Sequence, residues 1–263
     1  MKILFLGDII GTSGCNSVKR NLSEIILENQ IDFTVVNGEN THDSGKGITE
    51  NISNELFSCG IDVITTGNHV WDQKEILEHI KKESRLLRPL NMSNSLPGRG
   101  FGIFNSRKGL KIGVLNLMGN IFMKKSENVF NISVDFINKY ILKKDYDFLI
   151  VDFHAETTSE KMAMGHLFDG HATLVVGTHT HIPTSDFKIL EKGTAYQTDA
   201  GMCGNYNSVI GMDKINSLNH FLNKKSERHY PATNNVSICG IIVEADEKSG
   251  LASKIKRFQK EDY

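Results

Sequence analysis

Apolar, β-branched runs recur along the chain, and turn residues follow each of them. Lys2 to Gly7 (KILFLG) predicts a first strand, after which Val18, Leu22, Ile25 and Ile26 fall at helical spacing. Asp32 to Gly38 (DFTVVNG) predicts a second strand, ahead of a polar loop from Glu39 to Gly47. A helix over about Thr49 to Ser58 carries Ile52 and Leu56 on one side, and Asp62 to Gly67 (DVITTG) predicts a third strand. Asp72 and Glu75 then read as a capping box for a helix carrying Ile76 and Ile80.

The middle of the chain changes character. Gly102 to Ser106 and Lys111 to Leu117 flank a Lys108-Gly109 turn and predict a hairpin. Phe130, Val134, Ile137 and Ile141 mark an amphipathic helix. Phe148 to Phe153 (FLIVDF) and Ala172 to Gly177 (ATLVVG) are again strands of the buried type. The last third predicts hairpin-like strands at Phe187 to Glu191, Ala195 to Thr198 and Ser237 to Glu244, with a helix near Lys214 to Leu222 between them. Early βαβ alternation followed by antiparallel strands argues for an α/β protein with mixed sheets. With four prolines, no linker, no repeat and no low-complexity tract, a single domain over residues 1–263 is expected.

Composition narrows the function classes. Hydrophobic residues make up 39% and charged residues 23%, as in a soluble globular protein, and the formal charge of −1 implies no basic face for a nucleic-acid backbone. Cys15, Cys59, Cys203 and Cys239 form no CxxC pair, which argues against a disulfide framework or a thiolate zinc site. The N-terminal apolar run is broken at once by Gly7 and Asp8, unlike a signal peptide, and no stretch is long enough to span a membrane. A cytoplasmic location without membrane partners is expected.

The candidate chemistry sits at the strand ends. The first strand ends in Asp8, the second in Glu39-Asn40, the third in Asn68-His69, the fourth in His154 and the fifth in His179-Thr180-His181. Open α/β sheets bind ligands beyond the carboxyl ends of their strands. Each piece has an ordinary reading: Asp8 as a turn or N-cap residue, Glu39-Asn40 as loop polarity, Asn68 as a turn residue, a lone His154 as structural. His179 and His181 are harder to dismiss, because in extended backbone residues i and i+2 share a face and reach one site. The remaining histidines (42, 79, 166, 171, 220 and 229) show no pattern, and His42 reads as an exposed loop residue near Glu39. Carboxylate, imidazole and amide donors without thiolate suit iron, manganese or zinc. Seven donors exceed one tetrahedral site and suffice for two metals sharing a carboxylate. Two metals about 3.5–4 Å apart can clamp both oxygens of an in-line phosphoryl displacement.

Gly7-Asp8, Gly38-Glu39-Asn40, Gly67-Asn68-His69, His154 and Gly177-Thr178-His179-Thr180-His181 resemble, in that order, the motifs of the calcineurin-like metallophosphoesterases. The segments GDIIG, NGENTHDSGKGIT, TTGNHVWD, HAETTSEK, GTHTHIPT and YQTDAGMCG are similar to the YmdB-like bacterial branch across nearly the whole chain. Two departures from the wider superfamily argue against a protein phosphatase: Ile10 stands where Asp-x-His would place its histidine, and Glu39 replaces the bridging aspartate with no arginine following.

The resemblance implies a four-layer α-β-β-α sandwich of two mixed sheets. It implies a first metal on Asp8, Glu39, Asn40 and His181, and a second on Glu39, Asn68, His154 and His179, with iron or manganese ahead of zinc. Phosphodiester hydrolysis is the implied activity, with 2′,3′-cyclic nucleotides as favoured substrate, a metal-bridging hydroxide attacking in line and His69 as general acid. Asp72, though near His69, is assigned to the helix cap. Phosphomonoesters and RNA ends are the alternative substrates, a non-catalytic regulator binding a phosphorylated ligand is the alternative class, and a homo-oligomer is compatible with everything read. Gly45-Lys46 lacks the spacing and the Ser or Thr of a P-loop, and no Gly-x-Ser-x-Gly elbow is present.

Overall fold

A computed structural model describes residues 1–226 and 228–262. In chain order the first half runs β1 (Lys2–Leu6), β2 (Asp8–Ile9), α1 (Gly11–Asn29), β3 (Phe33–Asn37), α2 (Glu50–Ser58), β4 (Val63–Thr65), α3 (Ile76–Lys82), β5 (Phe101–Asn105), β6 (Lys111–Met118) and α4 (Val129–Lys139). The second runs β7 (Phe148–His154), α5 (Thr158–Leu167), β8 (Leu174–Thr178), β9 (Lys188–Ile189), β10 (Ala195–Gln197), β11 (Met202–Asn205), α6 (Lys214–Phe221), β12 (Val236–Ala245) and β13 (Ala252–Asp262).

Side-chain alternation explains why two sheets and three cores form. In β1, Leu4 and Leu6 pack with Val18 and Leu22 of α1, whereas Ile3 and Phe5 pack with Val114 and Ile150 of the opposite sheet. In β7, Phe148 and Ile150 face that same central core, and Leu149, Val151 and Phe153 face Phe136 of α4 and Met164 of α5. Strands apolar on both faces must be covered on both sides, which dictates helix, sheet, sheet, helix. The expected four-layer sandwich is therefore the observed fold.

Both sheets are mixed. In the first, β1, β3 and β4 run parallel, β12 pairs antiparallel with β1 and also with β11, and β13 lies along the far edge of β12. In the second, β6, β7, β8 and β10 run parallel, with β5 and β9 antiparallel at the edges. Three strands are absent from the sequence pattern: the two-residue β2, β11 and β13. β11 is short and glycine-containing, and β13 alternates Lys and Arg with its few apolar residues, so its half-buried edge pattern is muted. The strand expected over 187–191 contracts to Lys188–Ile189.

Candidate functional site

The strand ends deliver the expected residues to one place. Asp8 opens β2, Glu39 and Asn40 follow β3, Asn68 and His69 follow β4, His154 closes β7, and His179 and His181 follow β8. His154 Nε2 is met by Glu39 Oε1 at 2.7 Å, His179 Nδ1 at 3.0 Å and Asn68 Oδ1 at 3.2 Å. Asp8 Oδ2 accepts from the His179 N–H at 3.1 Å, and Asp8 Oδ1 lies 3.8 Å from both His154 Nδ1 and His181 Nε2. Glu39 Oε2 accepts from the His69 N–H at 3.0 Å. Close backbone approach makes this packing feasible. A Cβ on Gly67 would lie 2.1 Å from the His154 ring and 2.4 Å from the Glu39 carboxylate, so the Gly of Gly-Asn-His is a steric requirement.

Each histidine has one nitrogen tied to the protein and the other turned inward. His154 Nδ1 lies 2.9 Å from Thr178 Oγ1, which donates to the buried Asp152 at 2.7 Å. Asn37 and Thr65 also donate to Asp152. His181 Nδ1 meets the Ile210 carbonyl at 2.8 Å, and His179 Nε2 meets Glu156 at 3.1 Å. Outer partners of this kind fix ring orientation and tautomer in metal-binding histidines.

Three observations test whether metals fit. The donor atoms of Glu39, His154 and His179 lie within 4.8 Å of one another. Three acceptors converge on one ring nitrogen, where a single proton can serve only one of them well. Asp8 Oδ1 and Asn40 Oδ1 are buried without a hydrogen-bond partner among the described residues. Buried orphaned oxygens are costly, and a cation relieves them. These residues fit a cation among Glu39, His154 and His179, with the orphaned oxygens of Asp8 and Asn40 nearby.

Burial and close packing shift these groups strongly. Burial pushes the Asp8 carboxyl up to about 6, against the pull of His181 and His154. Burial also disfavours ionised Glu39, but His154 and His69 hold it down at about 2. Burial opposes a charge on His154, yet Glu39, Asp8 and Asp152 raise it to about 9. Burial and the neighbouring His154 lower His179 to about 3, keeping it neutral, the form that ligates.

Two expectations need correction. Asp72 is no helix cap: α3 begins only at Ile76, and its N-cap Glu75 makes no side-chain capping bond. Residues 70–75 form turns, and Asp72 Oδ2 instead meets His69 Nδ1 at 2.8 Å, with Lys124 3.5 Å from its other oxygen. His179 and His181 do not sit in extended backbone either. Both lie past β8 with φ of 94° and 65°, a conformation that non-glycine residues adopt at a cost. Thr180 between them is held by Asp199, which accepts from its N–H at 3.2 Å and its hydroxyl at 2.6 Å, and Asp199 pairs with the buried Lys161 at 2.7 Å. Sequence reasoning misses this clamp. His42 bonds Ser44 and does not line the cavity described next.

A cavity of about 400 Å³ opens over these groups, lined in part by Glu39, Asn40, His69, Glu156, His179 and His181. Lys46 is the sole Lys or Arg among its described lining residues, so most positive charge would have to come from bound cations. The sequence profile described as YmdB-like protein matches residues 4–258. The chain belongs to the YmdB-like family. A relative named 2′,3′-cyclic-nucleotide 2′-phosphodiesterase, from Bacillus subtilis (strain 168), is 39% identical over 257 residues, covering 98% of this chain and 96% of its own. A crystal structure described as a novel phosphatase from Mycoplasma pneumoniae superposes with a TM-score of 0.91 at 37% identity, covering 99% of this chain and 93% of its own. That of a hypothetical protein from Thermus thermophilus also gives 0.91, at 34% identity over 100% of both chains. Both solved structures share this fold over nearly their whole length. No helix among the described residues is long and apolar enough to cross a membrane.

Proposed function

We propose that the chain is a two-metal phosphodiesterase acting on 2′,3′-cyclic nucleotides. The observation that carries this reading is the pair of buried, unpartnered oxygens, Asp8 Oδ1 and Asn40 Oδ1, beside three histidines that each anchor one ring nitrogen on the protein and turn the other inward. The name of the Bacillus subtilis relative supports the substrate class. Asp8, Glu39, Asn40 and His181 would hold one metal, and Glu39, Asn68, His154 and His179 the other, with Glu39 shared. Bound there, divalent metals supply Lewis-acid charge on phosphoryl oxygens and lower the pKa of water.

The remaining roles fall to the chain itself. His69 lines the cavity and its Nδ1 is held by Asp72, leaving Nε2 to deliver a proton to the departing ribose oxygen. Lys124 donates to the Asn68 carbonyl and sits beside Asp72, tying the Asn68-His69 turn to the neighbouring loop. Asp199 and Lys161 hold the strained turn that positions His179 and His181. The product is a nucleoside monophosphate. Purification without chelator followed by metal analysis, with 2′,3′-cyclic AMP assayed beside p-nitrophenyl phosphate, tests the reading. About two metals per chain and a clear preference for the cyclic diester are expected. Metal with a preference for the monoester would keep the site and replace the substrate. No metal, and no activity after adding manganese or iron, would overturn the proposal.

A further inference from the structure

The cavity lining combines two chemistries. Besides the metal-fitting donors, the lining carries apolar and aromatic side chains: Val209, Ile210, Met212, Phe221 and His229. Phe221 comes from a helix that is inside out. α6 buries Asn216 and Ser217 and exposes Ile215, Leu218 and Phe221, the reverse of the usual amphipathic arrangement. Polar bonds hold it instead: Asp213 caps it by accepting from the Asn216 N–H at 2.8 Å, and Asn216 Nδ2 donates to the Arg228 carbonyl at 3.2 Å. Phe221 is left with 77% of its surface exposed although it lines the cavity. His229 lines it too, its ring stacked on His220 at 4.2 Å and 12°.

We propose that Phe221 and His229 form the nucleobase subsite of this cavity and set its preference for nucleotides over other phosphate esters. The proposal rests on the phosphodiesterase reading, which puts the phosphate at the metal-fitting donors of the same cavity. The organic part of the ester must then occupy the remaining space, and the lining offers π-faces and flexible aliphatic side chains. Base–aromatic stacking is tolerant of base identity because every base has a π-face. The flexible Met212 in the same lining adapts to bases of different size. Purine and pyrimidine nucleotides should therefore both bind, the purines more tightly by their larger face.

The test compares wild type with Phe221→Ala, Phe221→Trp and His229→Ala on two esters. One is 2′,3′-cyclic AMP; the other is glycerol 1,2-cyclic phosphate, the same five-membered phosphodiester without a base. Phe221→Ala is expected to act through KM for the nucleotide and to lower the ratio of the two kcat/KM values about tenfold. His229→Ala should do the same more weakly, and Phe221→Trp should restore the ratio. An unchanged ratio in Phe221→Ala would overturn the subsite. Calorimetric binding of 3′-AMP and of inorganic phosphate to the metal-loaded protein gives a second readout, independent of turnover. A preference for 3′-AMP that is lost in Phe221→Ala supports the subsite even if neither cyclic ester is hydrolysed, a result that would sink the diesterase reading alone. An equal preference in both proteins overturns the subsite whatever the activity.

Discussion

Asp8→Asn separates what the site needs from what the fold needs. Asp8 is fully buried, and one of its oxygens has no hydrogen-bond partner among the described residues. Without metal, burial raises its carboxyl from 3.8 to about 6. The native state then holds this proton more tightly than the unfolded chain does. The associated stability is fully present below pH 3.8 and is lost as pH rises through about 6. That gap corresponds to about 3 kcal/mol, withdrawn almost entirely by pH 8 and about half withdrawn at pH 5. Asn mimics the neutral acid at every pH. Its carbonyl can still accept from the His179 N–H, while its NH₂ enters a buried position and gives back roughly 1–2 kcal/mol. Chelator-treated Asp8→Asn should therefore be more stable than chelator-treated wild type at pH 8, by about 1–2 kcal/mol. At about 2–4 °C per kcal/mol, its Tm should rise by roughly 2–8 °C. The advantage should shrink at pH 5, and added metal should reverse it, since only wild type keeps the ligand. Thermal unfolding with and without chelator at the two pH values reads all of this. A chelated wild type at least as stable as the variant at pH 8, or an advantage that does not shrink at pH 5, would refute the reasoning.

Two further perturbations probe the positioning of the site. His69→Ala should lower kcat by about 10²–10⁴-fold while metal content stays at the wild-type value, with Asp72→Asn falling between, because Asp72 holds the ring but does not transfer the proton; metal analysis showing loss in His69→Ala would make that residue a ligand. Lys161→Met strands Asp199 as a buried, uncompensated charge and should cost about 3 kcal/mol in urea unfolding of the chelated protein, with weaker metal retention as Thr180 loosens. A cost below about 1 kcal/mol would show that the Thr180 and Gly201 donors satisfy Asp199 without the lysine.

Much of the site is legible because parallel strands announce themselves. Runs such as TVVN and LIVDFH are apolar on both faces, so the first polar residue past each marks a strand end, and five such ends name the candidate donors. The structure brings His179 and His181 together, but not for the reason that spacing suggests. Extended geometry would put both rings on one face, whereas left-handed turns held by Thr180 and Asp199 bring them there. Nothing local encodes that clamp. Lys161 and Asp199 lie 38 residues apart and meet because a glycine, Gly177, lets the backbone at Thr198 pass where a Cβ would sit 1.8 Å from its carbonyl oxygen. Asp72 is misread from sequence because His69-x-x-Asp72 and Asp72-x-x-Glu75 overlap at the same spacing, and only the turns through 70–75 decide between a ring partner and a helix cap.

The case of α6 goes one step further. Helical periodicity in 214–222 is plain, yet periodicity is symmetric about the helix axis and does not say which face is in. An ordinary reading buries Ile215 and Leu218, and the fold instead buries Asn216 and Ser217. That inversion is tolerated because Asp213 and Arg228 satisfy the buried amide groups of Asn216. It also leaves Phe221 uncovered in a cavity whose lining also gathers charged and polar donors. A helix that forgoes burial of its apolar face gives up on the order of 2 kcal/mol for each large side chain left in water. A ligand carrying a flat apolar ring can recover part of that on binding. The place where the hydrophobic pattern misleads about packing is thus the place where substrate preference is expected to lie.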